Sequence, residues 1–179
     1  VDLLGGTIDV ESELGKGSTF TVTLKHRIAD ERYYAKKHIE EPGTGNEILE
    51  GRNILLAEDN DLNAEIAAVI LERAGLKVER VEDGLQCISR ITEMPAGTYD
   101  IILMDIQMPK MDGYKATQTI RNLSDQEKAC IPIIAMTANA FEEDKRAAIA
   151  AGMNGHIAKP IQVDKLLSIL AEMIRQQEN

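Results

Sequence analysis

Five side chains stand out because their types belong together chemically: the adjacent acids Glu58 and Asp59, the isolated Asp105, the hydroxyl of Thr137 and the amine of Lys159, which precedes Pro160. Each alone has an ordinary explanation. Asp59 and Asn60 stand where a helix cap would, ahead of Leu62, and Asp112-Gly113 suits a turn. Gathered in one place, they predict something specific. Two carboxylates about 4 Å apart repel by roughly 4 kcal/mol at an effective dielectric near 20, and one lysine cannot neutralise three of them. A hard cation with oxygen ligands is therefore expected. Mg²⁺, which takes one or two carboxylates plus a phosphate, fits better than a Ca²⁺ cage, for which no D-x-[DN]-x-[DN]-G loop exists. With the metal, the set suits phosphoryl chemistry: one carboxylate attacks phosphorus while metal, ammonium and hydroxyl share the charge on the equatorial oxygens. Asp105 is the expected nucleophile.

The elements that would gather these residues can be read from the apolar pattern. Ile54-Leu55-Leu56-Ala57, Ile101-Ile102-Leu103-Met104 and Ile131-Pro132-Ile133-Ile134-Ala135-Met136 are continuous runs, the mark of strands buried on both faces. Shorter strands are expected at Lys77–Val81 and His156–Ala158. Between them lie helical stripes: Leu62, Ile66, Val69 and Ile70 after the first strand, and Val163, Leu166, Leu167, Leu170, Met173 and Ile174 near the end. Strand and helix alternate about five times from Arg52 onward, which predicts an α/β fold, a doubly wound five-stranded parallel sheet with helices on both faces. In such a sheet ligands sit beyond the carboxyl ends of the strands. Glu58-Asp59, Asp105, Thr137 and Lys159 each follow or end a different strand, so all five are expected on one rim.

Composition sets the outer limits. The 179 residues are 44% apolar and carry 30 acidic against 20 basic side chains, a net charge of -10. Both halves are acidic, which disfavours direct nucleic-acid binding through a basic face. No apolar run approaches the roughly 20 residues of a membrane span, so no membrane contact by this segment is expected. Cys87 and Cys130 read as two reduced, buried thiols in a cytoplasmic setting rather than a disulfide or zinc site. Before Arg52 the pattern differs. Thr7–Ser12 and Thr19–Leu24 alternate around a Gly15-Lys16-Gly17-Ser18 turn, a β-hairpin signal, and Val1–Leu4 reads as a helix end. Residues 27–51 are charged, contain Pro42-Gly43-Thr44-Gly45-Asn46 and read as a linker with a short helical stretch around Tyr33 to Glu41. The expected organisation is residues 1–26, linker 27–51 and domain 52–179, and Val1 in place of Met marks a segment of a longer chain.

Residues 53–175 resemble the receiver domain of two-component signalling. The resemblance rests on Leu56-Ala57-Glu58-Asp59-Asn60, on Leu103-Met104-Asp105-Ile106-Gln107-Met108-Pro109-Lys110-Met111-Asp112-Gly113, on Ile134–Asn139 and on Lys159-Pro160. It implies a flavodoxin-like receiver fold in which Asp105 accepts a phosphoryl group from a phosphohistidine. Glu58, Asp59, Asp105 and the Gln107 carbonyl would hold Mg²⁺, Thr137 would bond the phosphoryl group and Lys159 would pair with it across a cis Lys159-Pro160 peptide. Thr137 and His156 would form the switch, biasing the surface around the fourth and fifth helices of the domain. Gln107 and Asn139 would set the phosphoryl lifetime.

Residues 3–20 look like the closing strands of the ATP-binding domain of histidine kinases, including a glycine box at Gly15-Lys16-Gly17. Together with the receiver this implies a hybrid histidine kinase, either membrane-bound at its sensor end or wholly cytoplasmic. The phosphoacceptor histidine and most of the ATP site have no counterpart here, His26 and His38 lacking that setting, so only phosphorylation and dephosphorylation of the receiver itself are expected. Implied partners are a kinase phosphohistidine or a histidine phosphotransfer protein, with Asn63, Arg73 and Pro160 as contact candidates, and receiver dimerisation is compatible with the resemblance. A freestanding response regulator and a binding-only module are the alternatives. A haloacid-dehalogenase-like phosphatase is disfavoured because Gln107 stands where its second Asp would, and a flavodoxin-like cofactor binder because Glu58-Asp59 would repel a phosphate.

Overall fold

The computed structural model describes residues 6–23, 47–138 and 142–177. The chain forms two units, Val1–Glu41 and Pro42–Asn179. In the first, β1 (Thr7–Glu13) and β2 (Gly17–Thr23) pair antiparallel, Ile8 opposite Val22 and Val10 opposite Phe20. Gly15 takes the left-handed φ of 85° that closes the turn. Every residue of both strands is exposed, including the one-face cluster Ile8, Val10, Phe20 and Val22. The expected helix end at Val1–Leu4, the helical stretch at Tyr33–Glu41, Leu24, His26 and His38 lie outside the described residues.

The second unit begins with a 3₁₀ turn at Glu47–Leu49, inside the stretch read as linker, whose Leu49 is fully buried. It continues through β3 (Asn53–Ala57), α1 (Asp61–Arg73), β4 (Lys77–Val81), α2 (Gly84–Glu93), β5 (Ile101–Asp105), α3 (Gly113–Arg121), α4 (Gln126–Ala129), β6 (Ile133–Thr137), α5 (Glu142–Ala151), β7 (Gly155–Ala158) and α6 (Val163–Gln177). The five strands are parallel in the order β4-β3-β5-β6-β7. The order reverses between β3 and β5, which opens a crevice at their carboxyl ends.

The continuous apolar runs are explained by the two layers that cover the sheet. Ile54, Leu56, Ile101, Leu103, Ile134 and Met136 meet Ala64, Ala67 and Leu71 of α1 and Leu166, Leu170 and Ile174 of α6. Leu55, Ile102, Met104, Ile133 and Ala135 point the other way, to Cys87 and Ile91 of α2, Ala116 and Ile120 of α3, and Ala148 of α5. At the amino ends of the strands the Arg121 guanidinium donates to the carbonyls of Ala129 (2.7 Å), Ile131 (2.8 Å) and Gly152 (2.8 Å) and to the Asn154 side-chain oxygen (2.8 Å).

Two expectations need correction. The stripe Leu62-Ile66-Val69 faces solvent, with Leu62 65% exposed, while α1 buries Ala64, Ala67 and Leu71. Alanines let the helix axis approach the sheet closely, and the larger side chains are left outside. Of the stripe as read, only Ile70 packs against the core. Cys130 is exposed, because it caps α4 while Ile131 beyond it turns inward. Burial pushes the Cys87 thiol up to about 12. A thiol reagent at neutral pH is therefore expected to label Cys130 alone in the native protein and both thiols in denaturant.

Tyr99 reports on the sheet edge in the same way. Its hydroxyl donates to Glu79 Oε2 at 2.6 Å, and Arg90 donates to the other oxygen of that carboxylate. Burial first, then the Glu79 partnership, pushes the phenol up to about 12. A raised folded-state value means the stabilisation is complete below the ordinary tyrosine range near 10 and is lost as pH rises through about 12. Phenolate absorbance should show late titration from Tyr99 in the native protein, and Tyr99→Phe should remove that component while leaving Tyr114, whose phenol burial also raises.

Candidate functional site

The rim residues are set by the strand that each follows. Glu58 continues β3, its amide donating to the Val81 carbonyl at 3.0 Å, so its side chain is carried over the crevice with 1% exposure. Asp59, next in line, is exposed. Asn60 then caps α1 by accepting from the Asn63 amide at 3.0 Å, and the Asn63 side chain reaches back to Glu58 Oε1 at 3.0 Å. Arg80, on β4, fastens the turn by donating to the carbonyls of Glu58 (3.1 Å) and Asp59 (3.2 Å) and pairing with Asp61 at 2.8 Å.

Asp105 ends β5 at the centre of the crevice, 5% exposed. The Gln107 amide donates to its Oδ1 at 3.3 Å. Lys159 leaves β7 with its amide on the Thr137 carbonyl at 2.7 Å and a cis bond to Pro160, the geometry that the receiver resemblance implied. Its ammonium bridges Glu58 Oε2 (2.5 Å) and Asp105 Oδ2 (2.7 Å). Thr137, 4% exposed, ends β6 with its hydroxyl 3.5 Å from the Ile157 carbonyl. His156 is half-buried and pairs in register with Ala135, on the same face as Thr137. Asn139 lies outside the described residues.

The rim is short of positive charge. Burial, with the nearby Glu58 charge adding to it, outweighs Lys159 and the Gln107 amide and holds the Asp105 carboxyl above the ordinary carboxylate range. Burial works to lower the Lys159 value, but its bonds to Asp105 and Glu58 prevail and raise it. One ammonium thus answers two carboxylates while Asp59 stands beside them. Oxygen atoms of Glu58, Asp59 and Asp105 lie within 4.8 Å of one another. Three hard oxygen donors at that spacing, with an excess of negative charge, fit a divalent cation such as Mg²⁺.

The recess adjoining the rim, between Gln107, Tyr114, Thr137 and Asp144, has a volume of about 40 Å³, room for water only. A larger recess of about 440 Å³ lies at the opposite end of the strands, among Arg52, Asp100 and Ile131, away from these residues. Three groups escape a reading of the sequence: Arg80, Asn63 as a partner of Glu58, and Asp83, whose buried carboxylate meets Lys110. Asn63, Arg73 and Pro160, the contact candidates, are all exposed.

A doubly wound parallel sheet with an acid pair, a central aspartate, a threonine and a lysine on one rim defines a receiver domain. Residues 54–171 match the response regulator receiver domain family, and the chain belongs to it. It is 37% identical over 166 residues to the autoinducer 2 sensor kinase/phosphatase LuxQ of Vibrio vulnificus, covering 93% of this chain and 18% of that protein. It thus spans less than a fifth of that relative's length. Among solved structures, the receiver domain of the Pseudomonas aeruginosa sensor histidine kinase PA1611, with magnesium coordinated in its active site cleft, is 40% identical at a TM-score of 0.63, covering 69% of this chain and 98% of that one. The co-crystal structure of the Saccharomyces cerevisiae phosphotransfer protein Ypd1 with the receiver domain of Ssk1 matches at 27% identity and a TM-score of 0.65, over 72% of this chain and 92% of that one.

Proposed function

We propose that this chain is a phosphoacceptor module of a two-component phosphorelay, within a parent hybrid histidine kinase. The observation that carries the reading is the Lys159 ammonium held between Glu58 and Asp105 with Asp59 alongside. An Asp105 carboxylate oxygen attacks the phosphorus of a phosphohistidine. The O–P bond forms as the P–N bond breaks, and the imidazole leaves with the bonding electron pair. Glu58, Asp59, Asp105 and the Gln107 carbonyl would hold Mg²⁺, which supplies positive charge to the phosphoryl oxygens. Lys159 would supply a second positive charge, and Thr137 a hydroxyl donor.

Thr137 and His156 form the switch in this reading. Drawing the Thr137 hydroxyl away from the Ile157 carbonyl toward a phosphoryl group frees space on the face that His156 shares, and the change is read on α5 and α6, the fourth and fifth helices once the four-residue α4 is set aside. Gln107 and Asn139 govern water access and hence the lifetime. The partner is a kinase phosphohistidine or a histidine phosphotransfer protein that docks on α1 beside the crevice, where Leu62, Ile66 and Val69 offer exposed apolar surface.

Residues 1–26 are read as the end of a kinase ATP-binding domain, 27–51 as a linker and 52–179 as the receiver. The hairpin, marginal alone, would bury its Ile8-Val10-Phe20-Val22 face within that domain. No helix among the described residues is long and apolar enough to cross a membrane. In this reading the module works in the cytoplasm, free or at the cytoplasmic end of a membrane-bound parent.

The test is intact mass after incubation with acetyl phosphate. Gain of one phosphoryl group that requires Mg²⁺ and is reversed by hydrolysis is the expected result. No gain from acetyl phosphate or from a phosphohistidine donor would reduce the domain to a binding module.

A further inference from the structure

The Gln107 carbonyl is the one proposed metal ligand that belongs to the backbone. Its position depends on the course of residues 106–112 rather than on a side-chain rotamer. That course is fastened from outside, at the corner between β4 and α2. Asp83 is 1% exposed, and its Oδ1 caps α2 by accepting from the Gln86 amide at 2.8 Å. Its Oδ2 accepts from the Lys110 ammonium at 2.6 Å, reinforced by the Gln86 side chain at 3.3 Å. Burial pushes the Asp83 carboxyl up, but the Lys110 and Gln86 bonds outweigh it and hold the group below its ordinary range.

Lys110 is the one non-glycine residue with positive φ among the described residues, at 60°. Asparagine or glycine would take that conformation more readily. A lysine there is explained by its reach to Asp83. One residue on, the Met111 carbonyl accepts from the Gly84 amide at 3.2 Å, and a Cβ at Gly84 would lie 2.8 Å from that oxygen. The loop is closed on its own side by Met111 to Pro109 (2.6 Å) and Gly113 to Ile106 (3.0 Å).

We infer that the Asp83–Lys110 ion pair is a positioning device for the cation site: it clamps the 106–112 loop to the β4–α2 corner so that the Gln107 carbonyl is presented to the metal. The inference rests on the reading of the rim as a Mg²⁺-dependent phosphoacceptor site. Neither residue is a ligand, and neither touches the reacting atoms.

Calorimetric titration of the whole chain with Mg²⁺ tests it, on wild type, Lys110→Met, Lys110→Arg, Asp83→Asn, the double variant and Asp59→Asn. Lys110→Met alone leaves a buried carboxylate unpaired, so the double variant is decisive: it removes both charges, and the asparagine keeps an oxygen to cap α2. The Mg²⁺ Kd should rise about tenfold in Lys110→Met, the lower end of what groups supporting metal ligands contribute. The double variant should show the same rise and no more, and Lys110→Arg should restore binding to within about twofold of wild type. Melting in metal-free buffer, read in parallel, should not track these changes in Kd. Wild-type affinity in the double variant, while Asp59→Asn loses Mg²⁺, would overturn the clamp and leave the phosphoacceptor reading standing. A wild-type chain that takes up no Mg²⁺ would overturn both.

Discussion

Asp105→Asn is expected to abolish phosphoryl uptake completely while making the metal-free protein more stable. An amide offers no nucleophilic oxygen anion, and no other carboxylate on the rim stands in its place: Glu58 is engaged by Lys159 and Asn63, and Asp59 lies at the solvent edge. The stability change follows from the sign of the Asp105 shift. Its folded-state value lies above the ordinary carboxylate range because of burial and the Glu58 charge. The stabilisation linked to it is complete below that range and is lost as pH rises through the raised value, so at neutral pH the carboxylate costs stability. Asparagine removes that cost and can still accept from Lys159. The melting temperature without metal should rise by roughly 2–4 °C for each kcal/mol relieved. Mg²⁺ should raise the wild-type melting temperature by mass action and shift the variant less. Mass spectrometry and thermal melting, each with and without Mg²⁺, measure both effects. A variant that loses phosphorylation and melts lower at neutral pH would refute the electrostatic account.

Gly113→Ala should be the most damaging small change to the fold near the site. A Cβ at Gly113 would lie 2.3 Å from the Asp105 carbonyl oxygen and 2.9 Å from Met104 Cγ. The first obstacle is backbone at the end of a central strand, which cannot yield without moving Asp105 itself. Overpacking of this kind costs about 3 kcal/mol, or roughly 6–12 °C in melting temperature for a chain of this size. Displacement of the nucleophile by even about 1 Å should slow phosphorylation on the order of 10²-fold. Chemical denaturation and the rate of labelling by acetyl phosphate read the two consequences separately.

Much of this was legible in the sequence because burial on both faces of a parallel sheet leaves an unmistakable trace. Ile54–Ala57, Ile101–Met104 and Ile133–Met136 are apolar without interruption, and the polar residue that ends each run marks the rim. The strand-end rule therefore places Glu58, Asp105, Thr137 and Lys159 together from the sequence alone. Helix faces were harder. In α1 periodicity detects two stripes 100° or more apart, and the larger Leu62-Ile66-Val69 side chains dominate the signal although Ala64 and Ala67 do the packing. Size favours one face while close approach to the sheet favours the other, and only the tertiary structure decides. The supporting bonds were illegible for a different reason. Arg80 to Glu58, Lys110 to Asp83 and Asn63 to Glu58 join residues whose types are common on any surface, and the first two span 22 and 27 positions. The four-residue α4 is too short to leave a period.

The guanidinium of Arg121 rests on four neutral oxygens, three of them backbone carbonyls. Counter-ions in solution compete with carboxylates for a cation, but they compete poorly with carbonyl dipoles already converged on it from several chain segments. The β6–β7 side of the amino end therefore differs from the carboxyl-end rim in what solution conditions can reach, whereas the amino ends of β3 and β5 carry the part-exposed Arg52–Asp100 ion pair. At the carboxyl end, opposed full charges make the geometry responsive to ionic strength, metal and covalent charge. At the amino end, α3, α4, the entry to β6 and the turn before β7 are tied by an electrolyte-indifferent knot. A domain built this way has a fixed foot and an adjustable head, so a charge added at the head moves structure there without loosening the base against which the movement must be measured.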